Sequence, residues 1–165
     1  MPRPFVNLAD LSASRDLSHG DRFGARVFPI STLLGAKKLG YNLTVVAPGK
    51  RAFPFHNHHA NEELFFVIEG TGQLRYGAEV HEVRAGDVIA CVPGGPEHAH
   101  QIVNTGETEL RYLAVSTMID TDIYQYPDSG KFGATGGRLP GMRPMDAPFG
   151  GFWEEKNRKE YWDGE

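Results

Sequence analysis

Two histidines and a glutamate within a short stretch are the residues best suited to chemistry in this sequence. They are His56, His58 and Glu63. Side chains alternate faces along a β-strand, so the two histidines should point to the same side. The polar stretch 57–61 can then turn the chain, and the apolar run 63–68 can return as a second strand. The spacing therefore predicts that two imidazoles and one carboxylate face a common point.

A second histidine pair, His98 and His100, follows the turn-forming residues 93–96. One of these would complete a set of three imidazoles and one carboxylate. Such a mixed nitrogen and oxygen set suits zinc, iron, manganese, nickel or copper better than magnesium or calcium. The alternative for an isolated His-x-His is a solvated, histidine-rich turn, since short motifs are often matched by chance.

The first cluster resembles the first motif of the cupins. That motif consists of Gly, five residues, His-x-His, three or four residues, Glu, six residues and Gly. Gly49, His56, His58, Glu63 and Gly70 fit it, with one residue too many after Gly49. The resemblance implies that Glu63, and not the glutamate before it, is a ligand, because Glu63 has the six-residue spacing to Gly70.

The second cluster is similar to the second cupin motif, which consists of Gly, five residues, Pro-x-Gly, two residues, His, three residues and Asn. The matching residues are Gly86, Pro93, Gly95 and Asn104. His98 has the correct distance from Gly95, whereas His100 has the correct distance to Asn104. We favour His100 as the fourth ligand, because 96–99 resembles a lengthened turn before an intact strand. His98 is the alternative ligand; otherwise it lines the pocket as a proton donor or acceptor, or it is a surface histidine.

The resemblance also implies a fold and a class of function. The expected fold is all-β, a cupin-type double-stranded β-helix or jelly-roll barrel. The expected cofactor is one divalent transition metal with one or two positions open for water or substrate. Phe65 would line the substrate pocket at the barrel mouth. In cupins the N-terminal arm often pairs with a second subunit, so the resemblance allows a homodimer. The alternative is an edge strand within one monomer, and the sequence does not distinguish the two.

Composition limits the classes of partner. The 165 residues suit one domain, and 20 glycines with 11 prolines are typical of many short strands joined by turns. A net charge of −4 gives no electrostatic footprint for nucleic acid or an acidic membrane, so the expected partner is a small molecule.

The single cysteine, Cys91, excludes an intramolecular disulfide and is expected to be a buried apolar residue. Without a signal region or a long apolar run, a cytoplasmic location is the default.

The strand pattern divides the chain into three parts of a single domain. Residues 1–40 are an N-terminal arm and first strand, with a short helix at 7–11 and a strand at 26–30. Residues 41–117 are the barrel that carries both motifs. Residues 118–165 are predicted to add a strand at 122–126, a flexible glycine-rich loop at 133–137 and an aromatic tail docked on the barrel.

Three functions are compatible with these residues. The first is a metal-dependent enzyme acting on a small oxygenated molecule, with dioxygenase, isomerase or decarboxylase chemistry. The second is a non-catalytic module that binds or senses a small ligand. The third, a storage or structural cupin, is weakened because such relatives often lack the ligands that this chain retains. One fold hosts many chemistries, so the motifs do not name the substrate.

Overall fold

The computed structural model describes residues 4–137 and 146–165. The first three residues of the predicted arm, and residues 138–145 of the predicted C-terminal part, lie outside the described residues. Within the described ranges, the one α-helix, α1, is Ile30–Leu34. The strands are β1 (Arg15–His19), β2 (Phe23–Phe28), β3 (Leu39–Val46), β4 (Asn57–His58), β5 (Glu63–Glu69), β6 (Thr71–Tyr76), β7 (Glu79–Arg84), β8 (Val88–Cys91), β9 (His100–Val103), β10 (Leu110–Thr117), β11 (Asp122–Tyr126), β12 (Lys131–Gly136) and β13 (Phe149–Glu154). No helix among the described residues is long and apolar enough to cross a membrane.

The strands form antiparallel sheets that face one another. The large sheet has the order β1-β2-β3-β10-β5-β8, and the two smaller sheets have the orders β7-β6-β9 and β13-β12-β11-β4. An isolated antiparallel bridge between His56 and His100 connects the two smaller sheets. Together they form the wall opposite the large sheet. The predicted all-β, double-stranded β-helix fold is confirmed.

The main hydrophobic core lies between the large sheet and the β7-β6-β9 sheet. Phe65, Val67 and Tyr112 contribute from the large sheet, and Leu74 and Ile102 contribute from the smaller one. Their side chains are almost fully buried, as expected for apolar residues that alternate along strands. This core fixes the strands whose ends carry the candidate ligands.

Strand β5 has one buried and one partly open face. Phe65 and Val67 point into the core, whereas Leu64 and Phe66 on the other side are 38% and 39% exposed. Ile68 continues that outer side and packs against the apolar cluster under the N-terminal arm. An apolar run such as 63–68 favours burial on both faces, and the structure shows that burial on the inner face and at one end of the outer face.

The N-terminal arm packs on its own chain. Its strand β1 is the edge of the large sheet and forms a hairpin with β2, which begins three residues before the predicted strand. Residues before β1 cover the outer face of the sheet, where Leu43 and Val45 are buried. The covering side chains include Val6, Leu8 and Leu11. The predicted helix at 7–11 is one 3-10 turn, Leu8–Asp10, capped by the side chain of Asn7.

The glycine-rich residues predicted as a flexible loop are part of a strand, so that prediction is wrong. Gly133 lies in the middle of β12, paired with Tyr124 of β11 and Phe152 of β13. A Cβ at this position would lie 2.8 Å from ring atoms of both neighbours, so a glycine is needed for the rings to pack. The aromatic tail is docked through β13, while Tyr161 and Trp162 remain exposed.

Two features away from the candidate site follow from the types of their residues. Gly77 and Ala78 connect the hairpin strands β6 and β7, with Gly77 at a φ of 54° that favours glycine. Cys91 is 2% exposed, and burial, with a smaller contribution from the charge of Glu63, raises the pKa of its thiol to about 12. The thiol is therefore uncharged and inert at neutral pH.

Candidate metal centre

The predicted ligands meet where β4, β5 and β9 approach one another. His56 lies just before β4 and pairs with His100 at the start of β9, through two backbone hydrogen bonds of 3.2 and 2.8 Å. His58 is in β4, and Glu63 is the first residue of β5. The chain turns between these two strands as the spacing of the motif predicted.

Three of the four predicted ligands form a compact group. One ligand atom each from His56, His58 and Glu63 lies within 4.8 Å of the others. His100 is adjacent, with its Nε2 atom 3.0 Å from Oε2 of Glu63 and its ring centroid 4.9 Å from that of His56. The structure thus places all four side chains at one locus, while their role as ligands stays a prediction.

Each histidine uses its Nδ1 atom for an interaction within the protein. Nδ1 of His56 lies 2.8 Å from the carbonyl oxygen of Pro54, and Nδ1 of His100 lies 3.2 Å from that of His98. Nε2 of His100 also lies 3.0 Å from Oε2 of Glu63, so a proton on that nitrogen must leave before it binds a metal. Where Nδ1–H is the only donor of the ring, the lone pair is on Nε2. This tautomer is the one that metal-binding histidines commonly adopt. The donor set therefore fits a divalent transition metal.

His58 is oriented by a buried carboxylate that the motifs do not contain. Its Nδ1–H donates to Oδ2 of Asp122 at 2.7 Å. Asp122 is 2% exposed and also accepts from the backbone N–H of Ala60 and the side-chain amide of Asn61. Burial alone would raise the pKa of Asp122, but these hydrogen bonds and the proximity of His58 lower it overall. A carboxylate in this position fixes the imidazole and increases its basicity.

Opposing effects set the protonation states inside the centre. Burial would raise the pKa of Glu63, but the hydrogen bond with His100 and the nearby imidazoles lower it to about 2. Burial and, to a lesser extent, the neighbouring His100 lower the pKa of His56 to about 4, against the opposing effect of Glu63. At neutral pH the carboxylate is therefore ionised and the His56 imidazole is neutral, which are the forms that bind a metal.

The side chain of His98 contacts Tyr76 and Glu97, not the other candidate ligands, among the described residues. It ends a 3-10 turn, Pro96–His98, and so does not share a strand with His100. Its Nδ1 atom lies 3.0 Å from the hydroxyl of Tyr76, and its Nε2 atom lies 3.7 Å from the carboxylate of Glu97. Its backbone carbonyl, by contrast, faces Nδ1 of His100. The geometry supports His98 as a residue that orients His100 through the main chain.

Phe65 lies behind the centre. Its ring packs against His100 at 5.6 Å and against Tyr112 at 5.7 Å, and its side chain is 6% exposed. It belongs to the hydrophobic core and is not among the described residues that line the cavity beside the centre. The structure therefore gives Phe65 a packing contact with a candidate ligand, while a contact with substrate stays a prediction.

A cavity of about 450 Å³ lies beside the centre, on the inner side of the large sheet. Its volume lies within the range of small-molecule sites. His58 and Glu63 are part of its wall, together with Arg15 of β1. Its other polar side chains carry mainly amide or hydroxyl groups; they include Asn42, Asn61, Ser116, Thr117, Tyr124 and Thr135. Such a wall suits a ligand rich in oxygen atoms.

The loop between β11 and β12 is held to the barrel by an ion pair. Both terminal nitrogens of Arg75 donate to the carboxylate of Asp128, at 2.8 and 2.9 Å. Two residues earlier, the ring of Tyr126 stacks on His56 with centroids 5.9 Å apart. The same segment therefore contacts two candidate ligands, through Tyr126 and through Asp122.

Sequence reasoning missed this contribution because both cupin motifs end before it. The available signal was the alternation in the predicted strand 122–126. Asp122, Tyr124 and Tyr126 share one face of β11, and all three are buried. An aspartate on an otherwise aromatic, buried face indicates a specific polar partner.

Comparisons with known proteins agree with the observed fold. Residues 42–116 match the family model of the cupin domain. A putative sugar phosphate isomerase from Acidithiobacillus ferrooxidans has a TM-score of 0.79 and 19% identity, over 94% of this chain and 95% of that chain. A sugar phosphate isomerase from a cupin superfamily, from Silicibacter pomeroyi, has a TM-score of 0.77 and 22% identity, over 97% and 98%.

Curated sequences match over a shorter region. The chain is 33% identical to auxin-binding protein 1 of Arabidopsis thaliana over 105 residues, which are 59% of this chain and 52% of that protein. The chain spans about half the length of the curated relatives it matches. At the identities of the solved structures, their likeness shows a shared fold. Residues 42–116 thus match the cupin-domain model, and the chain has the fold of a cupin-type protein.

Proposed function

We propose that this chain binds one divalent transition metal, zinc, iron, manganese, nickel or copper, and acts as an isomerase on a small hydroxylated molecule. The metal ligands are His56, His58, Glu63 and His100. The observation that carries the proposal is the cavity, which joins the candidate ligands to a wall of amide and hydroxyl groups. Such groups match the hydroxyl and carbonyl oxygens of a sugar-like molecule.

Two neighbours of nearly equal length support isomerase chemistry over the other two reactions. Both are described as sugar phosphate isomerases, one of them as putative, and each is covered almost entirely by this chain. Dioxygenase and decarboxylase chemistry use the same type of donor set and are the other reactions that the motifs allow. A bound divalent cation would act as a Lewis acid that polarises a substrate oxygen.

The residues around the cavity divide into those that position the centre and those that are available to substrate. Asn61 uses its amide nitrogen for Ile119 and Asp122 and its oxygen for Thr117 and Ile119, so it is a positioning residue. Asn42, in contrast, accepts from Thr44 through its oxygen, which leaves its amide N–H groups to donate to a ligand.

A hydroxyl pair extends this wall. The hydroxyl of Tyr124 donates to Oγ1 of Thr135, so the hydroxyl proton of Thr135 can point to a ligand oxygen. Tyr124 in turn packs edge-on against His58, with centroids 5.3 Å apart. Thr135 is therefore proposed to hydrogen-bond substrate next to the centre.

Metal content and proton exchange together test the proposal. The protein is purified without added metal or chelator and compared with His56→Ala, with His81→Ala as the control because His81 is exposed on β7. We expect near-stoichiometric transition metal in the parent and the control, and loss of metal from His56→Ala. Incubation of sugar phosphates in deuterated water should incorporate deuterium beside the carbonyl carbon with the parent and with the control, but not with His56→Ala. Equal metal in all three proteins, or exchange that is independent of metal, would refute the proposal.

The alternative function is a non-catalytic module that binds or senses a small ligand. It is supported by the similarity to auxin-binding protein 1, a protein named for binding. The two functions differ in what a bound molecule becomes. A ligand that co-purifies unchanged, with no deuterium exchange in a metal-loaded protein, would favour the alternative.

We further propose a homodimer formed through the outer face of β5 and β8. Leu64 and Phe66 of β5 are partly exposed, and Val88, paired with Phe66, is 64% exposed. Strand β8 is also an edge of the large sheet, and an open apolar edge favours association. Sedimentation of the parent as a dimer and of Val88→Glu as a monomer is expected; a monomeric parent would refute this assembly.

A further inference from the structure

One cation lies on the wall of the cavity, far along the sheet from the candidate centre. Arg15 belongs to β1, and β1 is separated from β5, which carries Glu63, by the three strands β2, β3 and β10. Arg15 and Glu63 nevertheless line the same cavity. One cavity therefore connects the two residues across the sheet.

The pairing of β1 with β2 directs Arg15 towards the cavity. Arg15 lies directly opposite Val27, which is 6% exposed and also lines the cavity. Directly opposed residues of an antiparallel pair project from the same face of the sheet. The side chain of Arg15 thus projects from the inner face of the sheet, and its exposure indicates that it lies at the mouth of the cavity.

Arg15 also lacks a carboxylate partner among the described residues. Three other arginines on the strands form ion pairs: Arg26 with Glu109, Arg75 with Asp128 and Arg111 with Glu69. Arg15 is the single lysine or arginine among the described residues that line the cavity. The hydroxyls of Ser31 and Thr32 in α1 lie on the same wall and add possible donors.

We propose that Arg15 binds a phosphate monoester at one end of the ligand while hydroxyl or carbonyl oxygens at its other end reach the centre. A guanidinium pairs with two phosphate oxygens at once, which gives both affinity and orientation. The Ser31 and Thr32 hydroxyls supply donors for a further oxygen. This inference rests on the proposed function, because it assigns the substrate class of the same cavity.

Calorimetric titration of the full-length protein tests this contact without relying on turnover. The probes are fructose 6-phosphate, fructose and inorganic phosphate, each titrated into metal-loaded and into chelator-treated protein. The parent is compared with Arg15→Ala, Arg15→Lys and the control Lys37→Ala. Lys37 is an exposed cation next to the cavity-lining Ala36, so its removal matches the change in net charge without removing a lining group.

The expected result is specific to the phosphorylated sugar. Its Kd should rise about tenfold or more in Arg15→Ala, which corresponds to one charge-assisted contact, and less in Arg15→Lys. The Kd of fructose should stay within about twofold of the parent, and Lys37→Ala should resemble the parent. The Arg15 effect should persist in chelator-treated protein, because the contact does not involve the metal.

Several results would overturn the inference. They are an unchanged Kd for fructose 6-phosphate in Arg15→Ala, no binding of any probe by the parent, or inorganic phosphate binding as tightly as the phosphorylated sugar. Metal content and deuterium exchange of the same samples separate this inference from the proposed function. Arg15-dependent binding without metal or exchange refutes the function alone, whereas metal-dependent exchange with Arg15-independent binding refutes the inference alone.

Discussion

The barrel segment, residues 41–117, and the closing segment, residues 118–137, contribute different things to the candidate centre. The barrel segment supplies the four proposed ligands at positions set by short motifs. The closing segment supplies no proposed ligand, yet Asp122 holds His58 and Tyr126 stacks on His56. The difference indicates that short motifs in the sequence determine which residues are the donors. The orientation of those donors depends on pairing between strands that are far apart in the sequence.

The largest expected effect separates the two histidines of the second motif. His100→Ala should abolish retention of the metal, because it removes a nitrogen next to Glu63. His98→Ala should retain the metal, because its backbone carbonyl, which faces His100, is unchanged. Elemental analysis measures both, and circular dichroism checks that each variant is folded. Loss of metal from His98→Ala alone would transfer the ligand role to His98.

The next effect tests the closing segment through Asp122. Asp122→Asn keeps the size of the side chain but removes the charge that holds His58. Loss of such a supporting carboxylate weakens metal affinity by about 10- to 100-fold. Competition with a chromophoric chelator measures this change. Affinity within about twofold of the parent would mean that the contact with Asp122 does not orient a ligand.

A pH prediction follows from His56. Its pKa is lowered by burial to about 4 in the folded protein, whereas an unfolded histidine titrates near 6.5. The unfolded chain therefore binds this proton at a higher pH, so the stability from neutral His56 is fully present above about pH 6.5 and is lost as pH falls towards 4. Between pH 7 and 5 the loss in chelator-treated protein should be about 2 kcal/mol.

Urea unfolding at several pH values measures this loss. His56→Gln is the matched variant, since it keeps a polar side chain but cannot titrate. Its free energy of unfolding should change less over the same range. The same slope in both proteins would assign the pH dependence to other groups. Below about pH 4.5 the unfolded chain binds a proton at Glu63, whereas the folded chain, in which the pKa of Glu63 is about 2, does not. Stability should therefore fall further as pH falls towards 2 in proteins that retain Glu63.

The sequence predicted what depends on local spacing. His56, His58 and Glu63 come together because two strands and a short turn bring them to one point, and that geometry is encoded within 56–63. Asp122 was missed because its contact requires β11 to pair with β4, 64 residues away from His58. Gly133 was predicted to be in a loop because the reason for a glycine there lies in other strands. The rings of Tyr124 and Phe152 occupy the space that a Cβ at residue 133 would need.

The smallest expected effect comes from the second anchor of the closing segment, Asp128. Asp128→Asn weakens the pair with Arg75, but both side chains are substantially solvated, so the cost in stability should be about 0.5–1 kcal/mol. Metal affinity should stay within about twofold of the parent, because Asp128 does not contact a candidate ligand. Urea unfolding and chelator competition measure the two quantities. If Asp128→Asn weakened metal binding as much as Asp122→Asn, the closing segment would support metal binding through its overall attachment to the barrel. If only Asp122→Asn weakened metal binding, the contribution of the segment would come from the single hydrogen bond between the Asp122 carboxylate and the His58 imidazole.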